Sequence, residues 1–129
     1  MLKRDDLLYP ELSYQIVGAL FDVFNELGPG LRESSYYRAT RIAFEERGMF
    51  VQDQQGVVMR YKDHIVGRYI PDFVVNQKVV IELKSGRRFN PLHIKQVLEY
   101  LKAIKLELAI LAYFSSEGVL FKRLINPST

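Results

Sequence analysis

At 129 residues and 15.0 kDa the chain has room for one domain with its own core, and 48% hydrophobic with 26% charged residues is not the composition of a disordered chain. The absence of cysteine excludes a disulfide framework, a thiolate zinc site and a thiol nucleophile. The net charge of +3 identifies no partner as a sum, but residues 1–59 carry six Lys/Arg against nine Asp/Glu and residues 60–129 twelve against six, so either the charges are scattered over a solvated surface or one half forms a face for a polyanion.

The first twelve residues, MLKRDDLLYPEL, place Asp5 and Asp6 where a signal peptide would need its apolar stretch. Residues 11–27 read as a helix: Leu12, Ile16, Leu20, Val23, Phe24 and Leu27 recur at three- and four-residue spacing, and Pro10 suits a first turn. Gly28-Pro29-Gly30 stops it. A second helix is expected from about residue 32 to 47, ending at Gly48.

From residue 51 to 84 the period falls to two. Residues 57–62 and 65–70 read as strands around an Asp63-His64 turn, and residues 69–75 and 79–84 as strands around the polar tip Asn76-Gln77-Lys78. Asn90 caps and Pro91 begins a third helix with the stripe Ile94, Val97, Leu98, Leu101, ending near Ile104. Residues 107–114 and 119–124 are two last strands. The longest wholly apolar run, residues 108–114, is far short of the roughly 20 residues that span a bilayer. A soluble, cytoplasmic protein with no membrane partner is expected. The order α-α-β-β-β-β-α-β-β implies an α/β (α+β) fold with a central mixed β-sheet flanked by helices, and the step from 79–84 through a helix to 107–114 has the length of a parallel crossover.

Polar residues interrupt this pattern where a core-forming strand should not place them. Asp72 follows Pro71 in an apolar segment, and Glu82 and Lys84 close the strand VVIELK on one face, with Ile81 and Leu83 on the other. Asp72 lies across a short hairpin from Glu82. Two carboxylates brought together repel unless a cation sits between them, and Mg²⁺ favours one or two carboxylates with water and phosphate oxygens. A lysine beside them would orient or deprotonate water and neutralise charge developing on phosphorus. The competing reading of Glu82 and Lys84 is a surface ion pair worth about 0–1 kcal/mol.

Pro71-Asp72 followed by Glu82-Leu83-Lys84 resembles the PD-(D/E)xK signature of restriction-endonuclease-like nucleases. Gly30-Leu31-Arg32-Glu33-Ser34-Ser35-Tyr36 is similar to the GxxExxY motif that names one family of that superfamily. The resemblance covers a core of about residues 11–126 of a single domain, 1–129, and implies a restriction-endonuclease-like core with its metal site at one edge of the sheet. It implies Mg²⁺, with Mn²⁺ as the alternative, held by Asp72, Glu82, Glu33 and the main-chain carbonyl of Leu83, and a catalytic Lys84. Gln96 and Tyr100, with His93 a turn earlier, resemble the QxxxY element of RecB-type nucleases, which gives Gln96 an assisting role.

Around these positions the residues leave alternatives. Glu33, Tyr36, Tyr37 and Thr40 fall at i, i+3, i+4 and i+7 on one helix face, so Tyr36 either supports Glu33 or is simply a half-buried aromatic. Ser85-Gly86-Arg87-Arg88-Phe89 is a phosphate- and base-contacting segment, with Arg87, Arg88 and Phe89 as its contacts, or an ordinary charged loop. His64 reads as a solvated turn residue and His93 as a capping or surface residue. The expected function is Mg²⁺-dependent hydrolysis of phosphodiester bonds in DNA, ahead of RNA. Any specificity would come from a homodimer or partner protein. The alternative is a catalytically silent nucleic-acid-binding or protein-interaction module with the same fold.

Overall fold

The computed structural model describes residues 8–53, 56–86 and 89–127. Helix α1 (Pro10–Leu27) starts on Pro10 as its first turn requires and ends at Gly28, whose φ of 73° lets its N–H turn back to the carbonyl of Phe24. Helix α2 (Glu33–Glu46) follows the Gly28-Pro29-Gly30 bend. Ile16, Ala19, Leu20 and Val23 of α1 and Tyr36, Ala43 and Phe44 of α2 pack onto one face of the sheet.

That sheet has five strands in the order β1 (Val51–Asp53), β4 (Phe73–Val75), β5 (Val79–Ser85), β6 (Leu108–Ser115), β7 (Gly118–Ile125). Among the described residues only β5 and β6 run parallel, joined through helix α3 (Pro91–Ile104), whose Asn90 side chain accepts from Leu92 N–H as its cap. The remaining pairs are antiparallel, so the sheet is mixed and the crossover lies where its length placed it. Helix α3 covers the opposite face with Val97, Tyr100 and Leu101 over Val74, Val80, Ala109 and Leu111. No helix among the described residues is long and apolar enough to cross a membrane.

The segment between α2 and β5 differs from expectation in two ways. Residues 51–53 form a strand of their own, too short to show a period, paired with β4 through Val51↔Val75 and Asp53↔Phe73. The expected strand over residues 69–75 is instead broken: β3 (His64–Tyr69) pairs only with β2 (Val57–Tyr61) in a separate two-stranded sheet, and β4 begins at Phe73. Pro71, which has no N–H for a ladder, sits in the break. Two chain segments thus pair twice, once in the central sheet and once in a hairpin lying against α3.

Candidate active site

The register of β4 with β5 ends at Phe73↔Ile81, so the next residues outward, Asp72 and Glu82, fall opposite each other just past the ladder. They replace its missing bonds with side chains. The Asp72 N–H donates to Glu82 Oε1 at 3.2 Å, and the Leu83 N–H donates to Asp72 Oδ2 at 2.7 Å. Alternation along β5 sends Ile81 and Leu83 into the α1–α2 core and Val80, Glu82 and Lys84 to the α3 side.

Glu82 is only 6% exposed. Its second oxygen accepts from the Tyr69 hydroxyl at 2.5 Å, and Tyr69 stands edge-on to Tyr100 of α3, ring centroids 5.3 Å apart. Burial first, then the proton-sharing contact with Asp72 and its negative charge, push the Glu82 carboxyl up to about 8, against the opposing Tyr69 hydrogen bond and the Lys84 ammonium. Burial and the same two carboxylates raise the Tyr69 phenol, which therefore keeps its proton and remains a donor. A strained pair of carboxylates with a cation on the same strand face is an oxygen-only donor set that positive charge would relieve. A hard divalent ion fits it.

Glu33 reaches β5 further along, where its Oε1 accepts from the Ser85 N–H at 3.0 Å. Three residues on, the Tyr36 hydroxyl donates to the Gly28 carbonyl at 2.6 Å and accepts from Leu31 N–H at 3.3 Å. The Tyr36 ring, 1% exposed, stacks on Phe114 at 4.2 Å. Tyr36 is thus fully rather than half buried, and it staples the loop that launches α2. The four residues expected on one face divide: Tyr36 and Thr40 enter the core, while Tyr37 stacks on Phe73 at 4.7 Å. The Tyr37 hydroxyl donates to Asp53 Oδ2 at 2.7 Å, and the same oxygen meets Arg41 at 2.6 Å. Burial and then Asp53 raise this phenol to about 12.

Among the described residues no three acidic or imidazole groups gather into a metal-holding cluster. The structure brings Asp72 and Glu82 together and leaves Glu33 at the Ser85 amide. Gln96 is exposed on α3 and lines a cleft rather than the carboxylate pair, whereas Tyr100 is buried behind Tyr69. Phe89 packs edge-on against Tyr113 at 4.9 Å with the Lys122 ammonium over its ring. Arg87 and Arg88 lie outside the described residues.

Sequence reasoning passed over three residues of this site. His93, expected as a capping or surface residue, is half-buried, and its Nδ1 lies 2.7 Å from the Tyr113 hydroxyl. That hydroxyl also accepts from Asn90 N–H at 3.2 Å, which leaves its own proton for the imidazole. Burial, then Lys84, lower the His93 pKa, against Glu33; His93 is therefore within electrostatic reach of both. Tyr113 itself is in register with Lys84 on the neighbouring parallel strand. Tyr69 completes the set. The one usable signal was spacing, since His93, Gln96 and Tyr100 fall at i, i+3 and i+7 on a single helix face.

A family model described as the PD-(D/E)XK nuclease superfamily matches residues 10–124. A search of curated proteins returns no match. Among solved structures the chain is similar to SSO0001, with TM-score 0.57 and 16% identity over 92% of this chain and 60% of that one. It is also similar to an alkaline exonuclease (LHK-Exo) from Laribacter hongkongensis, with TM-score 0.51 and 17% identity over 74% of this chain and 55% of that one. At these identities the likeness is one of fold, and this chain spans about three-fifths or less of either structure's length.

Proposed function

Because the chain belongs to the PD-(D/E)XK nuclease superfamily, we propose that it is a divalent-metal-dependent nuclease that hydrolyses phosphodiester bonds, in DNA ahead of RNA, with its reacting centre at the Asp72–Glu82 pair. The observation that carries this reading is the interlocked pair itself, Asp72 on Leu83 N–H and Glu82 on Asp72 N–H, with Lys84 on the same strand face. The GxxExxY assignment within the superfamily belongs to the same proposal. It is supported by Glu33 accepting from the Ser85 N–H of β5 and by Tyr36 tying the Gly28–Leu31 loop ahead of the same helix.

Asp72, Glu82, the Leu83 carbonyl and Glu33 would hold Mg²⁺ or Mn²⁺, which when bound supplies polarisation of a phosphoryl oxygen and acidification of water. The residues of the chain do the rest. Lys84 places a positive charge where negative charge develops on the pentavalent phosphorus and orients water for in-line attack. Tyr69 holds one Glu82 oxygen, so the other keeps a fixed aim. His93, its Nδ1 taken by Tyr113, presents an Nε2–H as a neutral donor beside Lys84. Tyr100 backs Tyr69 from α3, and Gln96 would assist from the wall of the neighbouring cleft.

Incubation with single- and double-stranded DNA and RNA in Mg²⁺, Mn²⁺ or EDTA, alongside Glu82→Ala and Lys84→Ala, tests the assignment. Metal-dependent cleavage that both substitutions abolish is expected. Cleavage surviving both would remove Glu82 and Lys84 from the mechanism, and binding without cleavage in every metal would leave the silent binding module.

A further inference from the structure

The hairpin β2–β3 and helix α3 enclose a cleft of about 740 Å³, of whose lining the reaction chemistry above uses only Tyr69, Gln96 and Tyr100. Its apolar floor includes Val57, Met59, Tyr69 and Leu92, and Arg60, Arg68 and Lys95 stand among its lining residues. Lys102 also lines it but is tied to Glu99 at 3.5 Å. Arg60, Arg68 and Lys95 have no ion-pair partner among the described residues, so three cations are left uncompensated beside apolar surface. Met59 and Leu92 are among the exposed large apolar residues of the molecule, at 48% and 63%. The cleft meets the carboxylate site at Tyr69, which lines it and hydrogen-bonds Glu82.

We propose that this cleft is the path of a single nucleic-acid strand, which lays its bases on the apolar floor, sets its phosphates against Arg60, Arg68 and Lys95, and reaches Asp72 and Glu82 past Tyr69. The inference rests on the nuclease reading and narrows its substrate to single-stranded nucleic acid or to the unpaired end of a duplex. The occupant follows from the surface. An apolar floor beside uncompensated cations suits a strand whose unpaired bases expose their faces while its phosphates stay charged. Paired bases are stacked inward and offer the floor nothing, and a cleft of about 740 Å³ is of small-ligand size. An acidic peptide would match the cations but not the floor.

The test is binding of fluorescein-labelled (dT)12 by anisotropy in EDTA, where turnover does not enter, comparing wild type with the triple variant Arg60→Ala, Arg68→Ala, Lys95→Ala. Three lost phosphate contacts should weaken binding at least about tenfold at 0.1 M salt and lower the slope of log K against log salt by about 2. Binding of a blunt 12-base-pair duplex should change less than about twofold. Photocrosslinking of a 5-iodouracil oligonucleotide to wild type should place adducts within residues 57–69 and 92–103, independently of any variant's folding. Unchanged (dT)12 affinity in a triple variant that melts like wild type would overturn the proposal, as would adducts confined elsewhere. Displacement of (dT)12 by poly-glutamate as readily as by unlabelled (dT)12 would overturn it in favour of a protein partner. Loss of (dT)12 binding in the variant without cleavage by wild type in any metal would keep the cleft and remove the nuclease reading. Cleavage by wild type with binding indifferent to the triple substitution would do the reverse.

Discussion

On the α1–α2 side of β5, Ile81 and Leu83 are sealed in the apolar cluster of Ile16, Leu20, Phe44 and Phe73. On the α3 side, one residue out of phase, Val80 is sealed in the same manner while Glu82 buries an ionisable carboxyl group and Lys84 emerges half-buried. The two faces belong to one strand and one period, yet one consolidates the fold and the other stores electrostatic cost. Burying Glu82 opposite Asp72 raises its pKa by burial and like charge, a cost to its ionised form that the hydrogen bonds from Tyr69 and the Asp72 N–H offset only in part. Under the proposed function that cost serves the chemistry rather than the packing.

The comparison is broken most directly by substituting each face in turn. Lys84→Ala should reduce cleavage at least about 10²-fold, the usual cost of removing a group that stabilises transition-state charge, with the melting temperature nearly unchanged. Ile81→Ala should do the opposite, costing about 2–5 kcal/mol of stability in a denaturant titration and affecting rate only through the folded fraction. Comparable losses of rate at full folding in both variants would erase the distinction between the faces.

A pH series sharpens it. The folded protein keeps the Glu82 proton up to about 8, whereas the unfolded chain loses it near the ordinary carboxylate value of about 4.3. The unfolded state then binds fewer protons across that interval, so stability falls as pH rises through it. The metal-free wild type should therefore lose melting temperature relative to Glu82→Gln between about pH 4.5 and 8, and millimolar Mg²⁺ or Mn²⁺ should restore it by binding the folded state alone. Parallel curves for the two proteins, with no response to metal, would show that Glu82 carries no burial cost.

Smaller effects probe the supports. His93→Ala should slow cleavage about tenfold, and His93→Gln, which keeps a neutral donor, should recover part of that rate; equal activity of all three proteins would remove His93 from the site. Tyr36→Phe, which deletes the bonds to Gly28 and Leu31, should cost about 0.5–1.5 kcal/mol and lower activity only as far as Glu33 loses its aim on Ser85. A variant melting like wild type would deny the staple.

Much of this is legible in the sequence. The helix ends at Gly28 and Asn90-Pro91, the parallel crossover and the Glu82/Lys84 face follow from local rules: capping, proline's fixed φ and the period of two in a strand. What resisted was whatever depends on a partner far along the chain. The strand at residues 51–53 is too short to have a period and exists because β4 offers it bonds. The expected strand over residues 69–75 gave way at Pro71, where the chain leaves one sheet for another.

Residue types and local chain direction were thus determined by sequence alone, because backbone sterics and side-chain alternation act over a few residues. Tertiary structure decided which groups share a charge field. Only the end of the β4–β5 register sets Asp72 opposite Glu82, only the parallel pairing sets Tyr113, and with it His93, beside Lys84, and only the turned-back hairpin brings Tyr69 onto Glu82 and opens the cleft along α3. Electrostatic and hydrogen-bond energies depend on distances through space, and those distances are set by which strands and helices finally pack together.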